Sequence, residues 1–117
     1  MQGFDLLTVQ NVIARITHGM VGLDLFLQGK EYSRYVNDFL SLGEDELEAA
    51  MKSANANTGF APYLVGISFP RESEILSAVK RAQQIAGRIN EADTETIQKT
   101  MAELEEKVNY LYCSAVR

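Results

Sequence analysis

Residues 5–28 read DLLTVQNVIARITHGMVGLDLFLQ. Leu6, Val9, Ile13, Ile16, Met20, Leu23 and Leu27 recur at alternating steps of three and four, which places all seven on one stripe of an α-helix. With Leu6 at heptad position a, Val12, Gly19 and Phe26 fall at g, while Asn11, His18 and Leu25 fall at f on an outward face. The apolar stripe is wider than a two-stranded coiled-coil seam and predicts a bundle helix that meets more than one neighbour. Gly19 and Gly22 lie inside it. Each costs about 1 kcal/mol of helix propensity relative to alanine, so the pair marks where another backbone is expected to come closest.

Working outward, Gly29 is a natural C-cap for this helix. Tyr32, Tyr35, Val36, Phe39 and Leu40 then return to helical spacing, as a second helix or a bent continuation of the first. A third helix is expected from about Glu44 to Ala56, with acidic residues in its first turn and a thin apolar face that predicts a peripheral position. The stretch around 57–69 is the exception. It carries turn signals at Asn57-Thr58-Gly59 and near Pro70, with a short apolar run from Tyr63 to Ile67 that periodicity cannot assign to helix, strand or loop. Beyond it, Ile75, Val79, Ala82, Ala86 and Ile89 form a stripe, and Ile97, Met101, Leu104, Val108, Leu111 and Ala115 form another. The turn between them holds Asp93, a good N-cap, and its brevity implies an antiparallel hairpin. The fold class read from these stripes is all-α: a bundle of four to five mostly antiparallel helices with a short irregular apolar segment around 57–69, forming one domain over residues 1–117.

Of the 117 residues, 46% are hydrophobic and 23% charged, proportions that argue against a disordered chain. The net charge of −5 comes without a lysine or arginine cluster, so binding to nucleic acid or to an anionic membrane is not expected. Cys113 is the single cysteine. With no disulfide framework, no secretory signal and no apolar run of membrane-spanning length, a cytoplasmic location is expected.

His18, the chain's one histidine, is the candidate for chemistry. The segment ARITHGMVGLDLFLQ loosely resembles the histidine box of dimerising histidine-kinase and phosphotransferase domains, in which a phosphoacceptor histidine stands on a bundle helix. The resemblance covers about fifteen residues and departs from those families at Gly19, where an acidic or polar residue usually follows the histidine. It implies a phosphotransfer role for His18; the competing reading is a rim histidine without chemistry. Metal binding is not expected, because the carboxylates of residues 44–48 and 103–106 have no histidine near them in sequence. No cofactor motif is present, and an enzyme is not the leading expectation.

Tyr32, Tyr35, Phe60, Tyr63, Phe69, Tyr110 and Tyr112 gather in three places, and aromatics with a polar handle are enriched at protein interfaces. The expected function is therefore that of a small interaction protein of adaptor, chaperone or inhibitor type, with an unidentified protein partner and self-association into a homo-oligomer. Two alternatives stand beside it: a histidine phosphotransfer-like protein using His18, and an acidic antagonist that mimics nucleic acid.

Overall fold

The computed structural model describes residues 6–58 and 72–115, with side chains described over 7–53 and 74–112. Within them the chain forms five α-helices and no strand: α1 Leu6–Leu27, α2 Ser33–Leu40, α3 Glu44–Thr58, α4 Glu72–Gly87 and α5 Thr94–Ala115. The segment 59–71, which holds most of the stretch read as irregular, lies outside the described residues. Residues 57 and 58 belong to the end of α3.

The spine is α1, which packs on α5, α2 and α3. Its fully buried side chains are Val9, Val12, Ile16 and Leu23, while Ile13, Met20 and Leu27 are only partly buried. The inward face is thus rotated from the a/d stripe toward the g positions. The cause is steric: Gly19 and Gly22 are buried beneath α2 and pull the helix face with them. α3 is not peripheral. It buries Leu47, Ala50 and Met51 and meets α1, α4 and α5, its alanines allowing the close approach that its few large residues do not advertise.

The chain leaves α1 through a Schellman turn. Gly29 adopts φ +72°, the Lys30 N–H donates to the Leu25 carbonyl at 2.9 Å, and the Gly29 N–H donates to that of Phe26 at 3.0 Å. This turn makes α2 a separate helix folded back on α1 rather than its continuation. With only eight residues, α2 is too short to stand alone and is held at both ends. The Ser33 N–H donates to Glu31 Oε1 at 2.8 Å, and Gln83 of α4 donates to the carbonyls of Phe39 and Leu42 at 3.2 and 3.0 Å.

α4 and α5 are antiparallel. Ile85 neighbours Thr96, Arg81 pairs with Glu103, and Glu74 shares a groove with Lys107. A single 3₁₀ turn, Ile89–Glu91, joins them. Asp93 then caps α5, its Oδ1 accepting the Thr96 N–H at 2.8 Å. Ile75, Val79, Ile97, Leu104 and Leu111 carry the buried faces of this hairpin.

Candidate functional site

The two faces of α1 differ in kind. On its inner side, a Cβ added to Gly19 would sit 2.6 Å from Cγ of Phe39, and one added to Gly22 would sit 2.7 Å from Cγ2 of Val36 and 3.1 Å from the Val36 backbone nitrogen. The glycines thus let α2 lie directly on the backbone of α1. Gly19 meets Phe39 and Gly22 meets Val36, so the two helices run antiparallel at this contact.

That register also sets the environment of His18. The residues preceding Gly19 and Phe39 come side by side, and His18 Nδ1 lies 2.5 Å from Asp38 Oδ2. A carboxylate only accepts, so Nδ1 carries the proton and donates; whenever the ring is neutral, Nε2 is then its acceptor nitrogen. The His18 ring also meets Tyr35 edge-on at 5.6 Å between centroids, and the Arg34 guanidinium stands 5.8 Å from the Tyr35 centroid. The His18 and Asp38 side chains are 45% and 42% exposed. His18 is therefore a rim residue turned against α2, not one projecting freely outward.

One turn earlier, Glu46 ties the start of α3 to α1. It accepts from Arg15 at 3.0 Å, from Asn11 at 3.3 Å and from the Gly43 N–H at 3.3 Å, and Arg15 also reaches the Ser41 carbonyl. Other carboxylates pair as well: Glu44 with Lys80, Glu95 with Lys99, Glu103 with Arg81, and Glu106 with Lys107. Among the described residues no group of three or more His, Cys, Asp or Glu side chains could hold a metal ion, and no helix is long and apolar enough to cross a membrane. Two carboxyls are held below their ordinary range. Backbone and side-chain hydrogen bonds from Ser33 lower Glu31, and side-chain and backbone hydrogen bonds from Thr96 lower Asp93.

The outer side of α1 carries Leu7, 78% exposed, then exposed Ala14, then Val21, 37% exposed. These three are spaced by sevens and form a line along the helix. Exposed Gln10 and half-buried Thr17 run beside them on one flank, with half-buried Ile13 and Met20 at the edge, and exposed Asn11 with half-buried His18 and Leu25 run beside them on the other. Arg15 and Asp24 are the only formally charged residues of α1, and Arg15 is committed to Glu46. By contrast α5, of the same length, carries Glu95, Lys99, Glu103, Glu105, Glu106 and Lys107.

The aromatic residues divide. Tyr32 is half-buried with its ring edge-on to Phe26 at 5.2 Å, and Tyr35 is half-buried beside His18. Tyr110 packs against the core, and Tyr112 is exposed. Phe60, Tyr63 and Phe69 lie outside the described residues. Sequence reasoning did not find Asp38 as the partner of His18, nor Gln83 as the clamp on α2, because both contacts cross between helices. The Leu7–Ala14–Val21 line was readable as a second heptad-spaced set and was obscured by the stronger stripe beside it. No family model, no curated protein and no solved structure matches this chain.

Proposed function

We propose that the chain is a small cytoplasmic interaction protein of adaptor, chaperone or inhibitor type, acting through the outer face of α1. The observation that carries this is the Leu7–Ala14–Val21 line, apolar and exposed on a helix with almost no free charge. A long helix turned to water normally spends that face on charged residues, as α5 does. Burying a line of apolar residues gains hydrophobic free energy, and on the Gln10–Thr17 flank it does so without stripping water from ions.

The test is affinity capture from cell extract with wild-type and Ala14→Glu baits, read by quantitative mass spectrometry, with a differently tagged copy of the chain present. Position 14 is exposed and glutamate is a good helix former, so circular dichroism should show the same fold. Proteins held by wild type and lost by Ala14→Glu support the reading. Indistinguishable captures overturn it.

A second reading, phosphotransfer on His18, is favoured by the Asp38 contact. With Nδ1–H fixed on the carboxylate, Nε2 keeps its lone pair for attack on phosphorus. The donor's bond to its phosphoryl group breaks, Nε2 gains that group, and the Nδ1 proton stays shared with Asp38. It ranks second because the nearby Asp38 carboxylate repels an incoming phosphoryl dianion. Incubation with a phosphodonor kinase should label wild type and not His18→Ala; equal labelling, or none, removes it. The nucleic-acid-mimic reading needs an unbroken acidic face, and the five carboxylates paired with Arg15, Lys80, Arg81, Lys99 and Lys107 work against one.

A further inference from the structure

On the rim where α2 crosses α1, we infer that His18, Tyr35 and Arg34 form a site for inorganic phosphate in its hydrogen phosphate form, held without a covalent bond. The site begins with an ion pair that is not made. Arg34 and Asp38 stand four residues apart on α2, within reach of each other along one face. Asp38 is spent instead on His18, and Glu31, three residues before Arg34, is spent on the Ser33 N–H. The Arg34 guanidinium is left beside the Tyr35 ring, 5.8 Å from its centroid, with no carboxylate partner among the described residues. Arg15 and Arg81, by contrast, are each closed by a glutamate. Tyr35 links the two ends of the set. Its ring meets His18 edge-on at 5.6 Å between centroids, and its hydroxyl has no hydrogen-bond partner among the described residues. An exposed, always-charged planar fork beside a free phenol suits an oxyanion.

His18 decides which oxyanion is taken. Asp38 accepts from Nδ1–H, so the neutral ring offers Nε2 as an acceptor. The side chain is 45% exposed, so a small ion reaches it. Hydrogen phosphate carries both parts that this set needs. Its P–OH donates to Nε2, while its other oxygens accept from the Arg34 guanidinium and the Tyr35 hydroxyl. Sulfate has the same shape and charge but no proton near neutral pH. One of its oxygens has to face the Nε2 lone pair, acceptor against acceptor, and that mismatch rejects it. Asp38 is the acid bonded to this ring, and its charge opposes any anion. Its bond with Nδ1–H draws that charge toward the ring, and Arg34 one turn away offsets it. No bond to phosphorus forms, so the ion exchanges with solvent, unlike a phosphoryl group carried on Nε2.

NMR titration of the full chain with sodium phosphate and, separately, sodium sulfate tests this, at matched ionic strength and at a pH where the His18 ring is neutral. Phosphate should shift the His18 ring and Arg34 guanidinium resonances saturably. Sulfate should bind at least about tenfold more weakly, the cost of one hydrogen bond left unmade. Arg34→Gln and Tyr35→Phe, each checked for fold by circular dichroism, should both weaken phosphate binding, the arginine change by about tenfold or more. Asp38→Ala releases the ring toward the Nε2–H tautomer, so it should take both ions and lose the preference between them. A role for Asp38 through charge alone moves both ions alike and leaves the preference intact, which overturns selection by the tautomer. Equal binding of phosphate and sulfate to wild type overturns it as well. Shifts that never saturate, or that ignore both Arg34→Gln and Tyr35→Phe, overturn the site itself.

Discussion

His18 and Asp38, twenty residues apart, meet at 2.5 Å across the contact between α1 and α2. The pair is half-exposed, so its contribution to stability is modest, about 1 kcal/mol or less, while its effect on the imidazole is specific. NMR at a pH where the ring is neutral should show the Nδ1–H tautomer. Asp38→Ala should shift the ring toward Nε2–H, and Asp38→Asn should give a mixture, because the amide can either accept or donate. An unchanged Nε2–H tautomer in wild type would show that the contact is not made in solution.

Glycine substitutions should separate by sign. Gly19→Ala and Gly22→Ala press a methyl group onto Phe39 and Val36 at 2.6 and 2.7 Å. The atoms met are the root of a fully buried ring in one case and a side chain backed by main-chain nitrogen in the other, neither of which can swing away. Overpacking of this kind costs about 1–3 kcal/mol, against a helix-propensity gain of about 1 kcal/mol at most. Gly87→Ala meets nothing within 4 Å and lacks the positive φ of Gly29, so it should stabilise by about 0.4–1 kcal/mol. Gly29→Ala should destabilise by about 1–2 kcal/mol from left-handed strain alone. Urea unfolding measures all four. Phe39→Leu should partly rescue Gly19→Ala in a double-mutant cycle.

The same glycines show why the all-α bundle was readable from residue spacing and the orientation of α1 was not. Apolar periodicity is a local signal, so Ile97, Leu104 and Leu111 announce the buried face of α5 directly. In α1, two of the most closely packed positions are Gly19 and Gly22, which carry no apolar weight, so the periodic count found the buried Val9, Ile16 and Leu23 but took Ile13, Met20 and Leu27, which are only partly buried, with them. The site was less legible still. His18 finds Asp38 only because the turn at Gly29 folds α2 back on α1, and no spacing within either helix encodes that meeting. The clustering of tyrosines was visible, yet it does not say that Tyr32 and Tyr35 turn toward Phe26 and His18 rather than outward.

Gln83 of α4 hydrogen-bonds the end of α2, donating from Nε2 to the carbonyls of Phe39 and Leu42. Gln83→Leu keeps the size of the residue and removes both donations. The Phe39 carbonyl keeps the Leu42 N–H at 3.1 Å, so the loss falls on the Leu42 carbonyl and should cost about 1–3 kcal/mol, the penalty for a part-buried acceptor deprived of its donor. Hydrogen exchange should reveal it locally: amides of α2 should exchange faster than in wild type, while those at the centre of α5 change only with global stability. Uniform acceleration throughout the chain would contradict a specific clamp.

Asp93 gives the chain a defined acid response. Its Oδ1 accepts the Thr96 N–H at the start of α5, and hydrogen bonds from Thr96, side chain and backbone, hold its carboxyl below the ordinary value of 3.8. In the unfolded chain the group takes up a proton first as pH falls, so the unfolded state binds more protons in that window and stability declines with falling pH. The cap's contribution is fully present above the ordinary value and is lost as pH drops through the lowered one. Asp93→Asn retains an N-cap acceptor without a titrating group, so its Tm should match wild type near neutrality and fall less steeply below pH 4. Asp93→Ala should melt lower than both at neutral pH. Glu31, lowered by its bond to the Ser33 N–H, titrates with the same sign at α2. The residual acid sensitivity of Asp93→Asn should accordingly shrink further when Glu31→Gln is added.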